Sequence, residues 1–166
     1  MRFIIGALLL CACVAGAEER AVDTKSDFRG VQFGEDLSQR ADMTGRQMLA
    51  PGHGDEWLYK RDGDNLQLGP VKLLPITYRA YKHRLWAVEM TCIECPEFPR
   101  VLVSAFGEPD KRAPNGRMQW AGRSITVTFD PVPEAGGGVA TLTSVRMDAA
   151  VEADKNEAAE AGKDGF

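Results

Sequence analysis

The sequence lacks the motifs of several common enzyme and binding classes. Its serines have no G-x-S-x-G context, which excludes the nucleophile elbow of the α/β-hydrolases. The glycine-rich run "EAGGGVA" is followed by neither a lysine nor a helix pattern, so it does not predict a phosphate-binding loop. The formal net charge is −4 and no basic stripe is present to neutralise phosphates, which argues against nucleic acid as a partner.

Histidine and cysteine are scarce, which limits metal and cofactor chemistry. His53 lies in a Gly-rich loop and His83 in a predicted hairpin turn, and both are expected to be exposed. With Cys92 and Cys95 they could in principle form a Cys₂His₂ set, but their spacing is not that of a zinc finger. Covalent haem is disfavoured because Pro96 follows the second cysteine, where the attachment motif requires histidine. Neither a metal ion nor a cofactor is predicted.

The N-terminus has the pattern of a cleaved secretory signal peptide. One arginine precedes an apolar run over residues 3–14, which is too short to span a bilayer, and "AGA" at residues 15–17 supplies an A-x-A cleavage pattern. We therefore predict a signal peptide at residues 1–17 and a periplasmic or secreted mature protein. A rival interpretation takes "LCAC" as a lipoprotein box with Cys13 lipidated, although Cys11 fits the middle of that box poorly.

The mature chain predicts one domain between two polar ends. Residues 18–27 are polar and without period, which indicates a flexible leader. Residues 148–166 are rich in Ala and Glu and have almost no large apolar side chain, which predicts a disordered acidic tail. Residues 28–147 are left as a single domain of ordinary size.

The patterns inside this domain predict an α+β fold with a mostly antiparallel sheet. Alternating runs such as "ITYRAY", "RLWAVEM", "ITVTF" and "VATLTSV" predict strands joined as hairpins, and "DGDN" is a turn rather than a calcium loop. A short helix is expected at "EDLSQRADM", after a first strand that ends at Gly34. A clearer helix is expected from Pro96, with Gly107 past its last turn. The order indicates a duplicated β-α-β-β unit with two helices on one face of the sheet.

The stretch "EMTCIECPEF" holds the two cysteines that the mature chain keeps. In an exported protein, Cys92 and Cys95 are expected to form a disulfide, a local staple worth about 2 kcal/mol for a loop of about four residues. A redox role remains open as the alternative. If Cys92 lies at or just before a helix N-terminus, backbone amides favour its thiolate, and it becomes the attacking sulfur with Cys95 as the resolving one. This order of strand, C-x-x-C and helix resembles the active-site segment of thioredoxin-like oxidoreductases over about a dozen residues.

Two further stretches carry a resemblance that covers roughly residues 28–147. "FRGVQFGEDL" and "VLVSAFGEP" resemble a type of uncharacterised small exported bacterial domain with an F-x-G-V-x-F-G opening and an aromatic-G-x-P helix ending. The predicted topology is also similar in outline to the small lipoprotein of the outer-membrane barrel assembly machine and to the proteinaceous β-lactamase inhibitors. Topology does not transfer function. We expect a non-enzymatic module that binds another envelope protein through a sheet face or edge, with a thiol-disulfide redox protein as the alternative.

Overall fold

The computed structural model describes residues 20–48 and 55–161. The predicted signal peptide with Cys11 and Cys13, the loop that contains His53, and the last five residues lie outside the described residues. The strands and helices of the described chain have the following bounds. The strands are β1 Asp27–Phe28, β2 Val31–Gln32, β3 Met43–Gln47, β4 Glu56–Arg61, β5 Gln67–Leu68, β6 Val71–Lys72, β7 Thr77–Tyr81, β8 Arg84–Cys92, β9 Lys111–Arg112, β10 Met118–Ala121, β11 Ile125–Val132 and β12 Gly137–Ser144. The α-helices are α1 Phe98–Phe106 and α2 Val145–Ala161, and short 3₁₀ helices cover Ala21–Thr24, Leu37–Gln39 and Pro133–Ala135.

Eight of the strands form one antiparallel sheet in the order β3-β4-β7-β8-β12-β11-β10-β9. Each half of this order is a four-stranded meander, and the halves meet where β8 pairs with β12. A helical segment precedes each meander, Leu37–Gln39 before the first and α1 before the second. The predicted α+β class with a mostly antiparallel sheet is confirmed, whereas a duplication of the unit stays a prediction.

The beginning of the domain differs from the expected strand and helix. "FRGVQF" forms the small hairpin β1-β2 outside the main sheet, because Arg29 and Gly30 both adopt positive φ, 52° and 77°, and reverse the chain. The expected helix at "EDLSQRADM" is a single 3₁₀ turn. Arg40 has already left helical geometry and pairs with the carboxylates of Glu35 and Asp42 at 2.9 Å, so these local bonds replace a second helical turn.

One face of the sheet, here called the core face, carries the main hydrophobic core. A row of buried, directly paired side chains crosses six strands on this face: Tyr59, Tyr78, Val88, Leu142, Val127 and Trp120. Helix α1 packs onto this core through Phe98 against Phe129 and Phe106 against Trp120, with ring centroids 5.7 and 6.1 Å apart. Leu37 of the first 3₁₀ segment belongs to the same buried cluster, so both segments expected to be helical lie on the core side.

The opposite face, here called the outer face, is polar and carries α2 at one end. A row of half-buried side chains, Thr77, Glu89, Thr141, Thr128 and Gln119, crosses five strands there. Ala87 precedes the core residue Val88 and Glu56 lies three positions before Tyr59, so the side chains of Ala87 and Glu56 both point to the outer face. They are buried, and Lys155 of α2 pairs with Glu56.

The expectation of a disordered tail from residue 148 is wrong for residues 148–161, which continue α2 to Ala161. The helix starts at the end of β12, where the Ser144 hydroxyl accepts a hydrogen bond from the Met147 amide at 3.3 Å in the manner of an N-cap. Met147 and Val151, four residues apart on one side of the helix, are both buried. The helix therefore has a small apolar contact surface, which the mostly polar composition of the tail does not indicate. Within residues 20–48 and 55–161, no helix is long and apolar enough to cross a membrane.

Candidate functional site

The predicted disulfide between Cys92 and Cys95 is present, with the two Cα atoms 6.1 Å apart. Cys92 is the last residue of β8, where it pairs with Gly138, and its Sγ lies 3.2 Å from the carbonyl oxygen of Lys72. The two cysteines are only 1% and 8% exposed. The disulfide is therefore part of the buried core rather than a bond displayed on the surface.

The relation of the disulfide to the following helix differs from the expectation. Helix α1 begins at Phe98, whose amide donates to the carbonyl oxygen of Cys95 at 3.0 Å, and Pro99 occupies the first turn, where its missing N–H is tolerated. Cys92 is six residues before this start and belongs to a strand. The prediction that Cys92 lies at or just before a helix N-terminus is therefore wrong, and the structural basis expected for a stabilised thiolate is missing at this cysteine.

The glycine-rich segment between β11 and β12 holds the disulfide loop against the sheet. The amide of Glu94 donates to the carbonyl oxygen of Ala135 at 2.8 Å, and the amide of Cys95 donates to that of Gly136 at 2.9 Å. At Gly137 a Cβ atom would collide with the carbonyl oxygen of Cys92, so this position has no room for a side chain. The run that the sequence indicated as a plain hairpin loop therefore also holds the disulfide loop in place. We call residues 134–137 the clamp segment.

Exposed apolar side chains surround this clamped loop. Ile93, between the two cysteines, is 50% exposed, and the positive φ of the next residue, Glu94 (54°), shapes the turn that carries it. Leu74 and Val132 are exposed on either side. The amide of Leu74 donates to the carbonyl oxygen of Thr91, and Val132 pairs with the first residue of β12. We call the disulfide loop together with Leu74, Ile93 and Val132 the disulfide end.

This apolar group stands out from the rest of the surface. Of the four large apolar side chains that are exposed among the described residues, three belong to the disulfide end, and the fourth, Val145, lies at the start of α2. Two exposed carboxylates, Glu94 and Glu134, accompany the apolar group in the disulfide loop and in the clamp segment. The disulfide end therefore combines exposed apolar side chains with exposed carboxylates. The sequence signals Ile93, because it is an isoleucine between two cysteines of an exported protein. It carries no signal for Leu74 or Val132.

His83 is not the free surface residue that was expected. It lies in the predicted β7-β8 turn, with φ of 65°, but its ring stacks near Trp57 with centroids 4.2 Å apart. Its Nδ1 shares a hydrogen bond of 2.7 Å with the hydroxyl of Tyr59, and burial raises the pKa of that hydroxyl. In the part of the chain that the structure describes, no group of three or more His, Cys, Asp or Glu side chains is placed to hold a metal ion.

The acidic run "DGDN" is a turn, as predicted, and the carboxylate of Asp64 bonds to other parts of the fold. Asp64 accepts a hydrogen bond from the hydroxyl of Tyr78 at 2.8 Å and pairs with Arg29 at 3.2 Å. Burial, together with this bond to a carboxylate, raises the pKa of Tyr78 well above its ordinary value. The turn therefore ties the β1-β2 hairpin to the core face.

Comparisons with protein-family models, with curated proteins and with solved structures find no match for this chain. The resemblance of "FRGVQFGEDL" and "VLVSAFGEP" to small exported bacterial domains stays a prediction. The likeness in outline to the barrel-assembly lipoprotein and to the β-lactamase inhibitors also stays a prediction.

Proposed function

We propose that this protein is a non-enzymatic binding module of the bacterial envelope, periplasmic or secreted, whose docking surface is the disulfide end. The observation that carries the proposal is the combination of a buried disulfide with a half-exposed isoleucine inside its loop. An exposed apolar cluster on a folded domain is a common mark of a protein-interaction site. The export pattern and the disulfide together favour an oxidising compartment.

The rigidity of the loop supports a docking role. Glu94 and Cys95 are each fixed by a backbone hydrogen bond to the clamp segment, and Gly137 packs directly on the carbonyl of Cys92. A loop whose backbone is already held in place loses little conformational entropy when a partner binds, and this preorganisation raises affinity. The disulfide on this account serves to present Ile93. The complementary partner is a protein with an apolar pocket and basic side chains facing Glu94 and Glu134.

The burial of the sulfurs supports a structural disulfide over the redox alternative. Thiol-disulfide exchange requires a thiolate to reach a sulfur atom, and the least exposed member of this pair, Cys92, lies inside the sheet. The alternative function, exchange with Cys92 attacking and Cys95 resolving, is separated by the Cys92→Ser variant. A redox protein with this change accumulates mixed disulfides with its partners, whereas a structural disulfide only loses stability.

The docking surface is tested by site-specific photo-cross-linking in cells. A photoreactive phenylalanine analogue replaces Ile93 in one strain and Val145 in a control strain. Val145 has a similar exposure of 42% and lies at the far end of β12. We expect a discrete cross-linked product with an envelope protein at position 93 and none at position 145. The same product from both positions, or no product at position 93, contradicts the proposal.

A matched substitution tests the same surface without a cross-linker. Ile93→Asp places a charge where the partner's apolar pocket is expected and should abolish binding of the partner identified by cross-linking. Val145→Asp places the same charge at the far end of the sheet and should leave binding unchanged. Both changes are on exposed positions, so the melting temperatures of the two variants should stay close to that of the wild type.

A further inference from the structure

Helix α2 covers a distinct surface on the outer face, well away from the disulfide end. We call this surface the helix site, and it consists of Glu56, Arg79, Tyr81, Lys82, Trp86 and Ala87. Tyr81 and Ala87 are buried but do not belong to the main core cluster. The same holds for Met147 and Val151 of the helix. We call these four buried side chains the small cluster, and none of them is a member of the main core.

The apolar contact of α2 is confined to its first two turns. Val151 is fully buried and Met147 nearly so, and beyond Val151 the charged side chains of Asp154 and Lys155 make the contacts to the sheet side. Asp154 pairs with Lys82 at 2.6 Å, and both side chains remain partly exposed. Exposed ion pairs are weak and are screened by salt. The second half of α2 is therefore attached much less firmly than the strands beneath it.

The helix site is chemically specific in spite of this weak attachment. Glu56 is a carboxylate only 2% exposed, and it is neutralised by Arg79 of β7 at 3.2 Å and by Lys155 of α2 at 3.3 Å. The Trp86 indole N–H donates to Asp148 at 3.1 Å. The cationic groups of Arg79 and Lys155 lie 4.9 and 5.7 Å from the Trp86 ring centroid. A buried carboxylate is expensive unless it is paired. Arg79 supplies one cation from the sheet itself, and Lys155 adds a second cation from the helix that covers the site.

The positions on α2 that meet this surface define a recognition pattern. They are Asp148, Val151, Asp154 and Lys155, which lie at i, i+3, i+6 and i+7 on one side of a helix. Two carboxylates meet the Trp86 N–H and Lys82, a small apolar side chain fills the cluster, and one ammonium meets Glu56. A helix of another protein that has this pattern fits the same surface.

We propose that the helix site binds an acidic amphipathic helix of a partner protein and that α2 occupies the site as a displaceable internal cover. The recognition mode is helix-in-groove, with one apolar anchor and a charge pattern that selects the partner. The buried side chains of α2 are not members of the main core, so detachment of α2 removes no member of that core. This inference stands apart from the disulfide end, so either surface can fail its test without affecting the other.

The test uses the full mature chain and a synthetic peptide of residues 145–161 with a fluorescent label. Val151→Asp in the protein places a charge in the small cluster and releases α2, while Ala153→Asp is the control on an exposed position of the same helix. We expect the peptide to bind Val151→Asp at least tenfold more tightly than it binds the wild type or the control. A peptide carrying Asp154→Asn and Lys155→Gln should bind Val151→Asp at least fivefold more weakly than the unmodified peptide.

Equal binding of the peptide to all three proteins, or no binding to a Val151→Asp protein that retains its sheet by circular dichroism, overturns the proposal. Hydrogen exchange on the wild type gives a second test that needs no variant. We expect the amides of the second half of α2 to exchange faster than those of β12 and to accelerate several-fold in 0.5 M salt, since ion pairs hold them. Exchange of α2 and β12 at one common, salt-independent rate also overturns it.

Discussion

Removal of the disulfide tests the structural role of the C-x-x-C most fully. In the Cys92→Ala, Cys95→Ala double variant, the chain-entropy relation predicts a loss of about 2 kcal/mol for a closed loop of about four residues. Both sulfurs are buried, and each leaves a gap near the size of a methyl group, at about 1 kcal/mol apiece. The variant should therefore lose about 4 kcal/mol of unfolding free energy in total.

The assay is urea denaturation of the oxidised wild type, the reduced wild type and the double variant. The reduced wild type keeps its sulfur atoms and should lose only the loop term, about 2 kcal/mol, so the three curves separate chain entropy from packing. Hydrogen exchange should show that the amides of Glu94 and Cys95, which bond to the clamp segment, lose protection first in the reduced protein. A reduced protein as stable as the oxidised one, with these amides still protected, refutes the reasoning.

Three other substitutions test particular parts of the fold. Gly137→Ala forces a Cβ atom against the end of β8 and shifts the strands apart. It should lower the free energy of unfolding, measured by urea denaturation, by about 1–3 kcal/mol. In the control Gly63→Ala the new Cβ atom meets no atom within 4 Å, so only the strain of the positive φ is added. Trp120→Phe removes the N–H that donates at 2.7 Å to the carbonyl oxygen of Gly107 at the end of α1, and should cost about 0.5–1.5 kcal/mol for the lost hydrogen bond plus a cavity term. The hydrogen bonds from two arginines lower the pKa of Asp42 to about 2, so its contribution to stability is present above about pH 4 and is lost as the pH falls through 2. Asp42→Asn should flatten that part of the acid unfolding curve, and an unchanged acid curve would contradict the assignment.

Local sequence patterns were sufficient for the elements that local chemistry specifies. Strand alternation predicted the antiparallel sheet, because a face that is buried selects apolar side chains at every second residue. Pro and Gly at the two ends predicted α1, although it starts at Phe98 rather than Pro96. The disulfide followed from an even cysteine pair in an exported chain. Each of these inferences needs only residues within about fifteen positions of one another.

The elements that were missed depend on contacts between distant parts of the chain. The end of α2 is held by Lys155 on Glu56, 99 positions earlier, and by Asp154 on Lys82, 72 positions earlier. No local window contains both partners, so the tail looked too polar to fold. Trp86 is an extra residue of β8 that has no partner in the register with β7. Its indole N–H finds its acceptor in Asp148 of α2, which again lies far away in the sequence.

The disulfide of the candidate site could be predicted from the sequence, but the residues that surround the disulfide could not. The sequence placed Cys92 and Cys95 together and left a structural and a redox role open. It could not show that Leu74 and Val132 come to the same end of the sheet. Leu74 is placed there by its hydrogen bond to Thr91 of β8, and Val132 by the pairing of β11 with β12 and of β12 with β8. Nor could it show that Gly137 closes over the disulfide, which is the contact that favours the structural role.

The reduction potential of the Cys92–Cys95 pair in the purified mature protein tests the central claim most directly. The potential is obtained by alkylation and mass spectrometry across a glutathione or dithiothreitol series. Because both sulfurs are buried and the loop is clamped, we predict a value below about −300 mV, typical of structural disulfides in exported proteins. A value between about −270 and −120 mV, the range of exchanging dithiols, would contradict the account and make the C-x-x-C a redox centre.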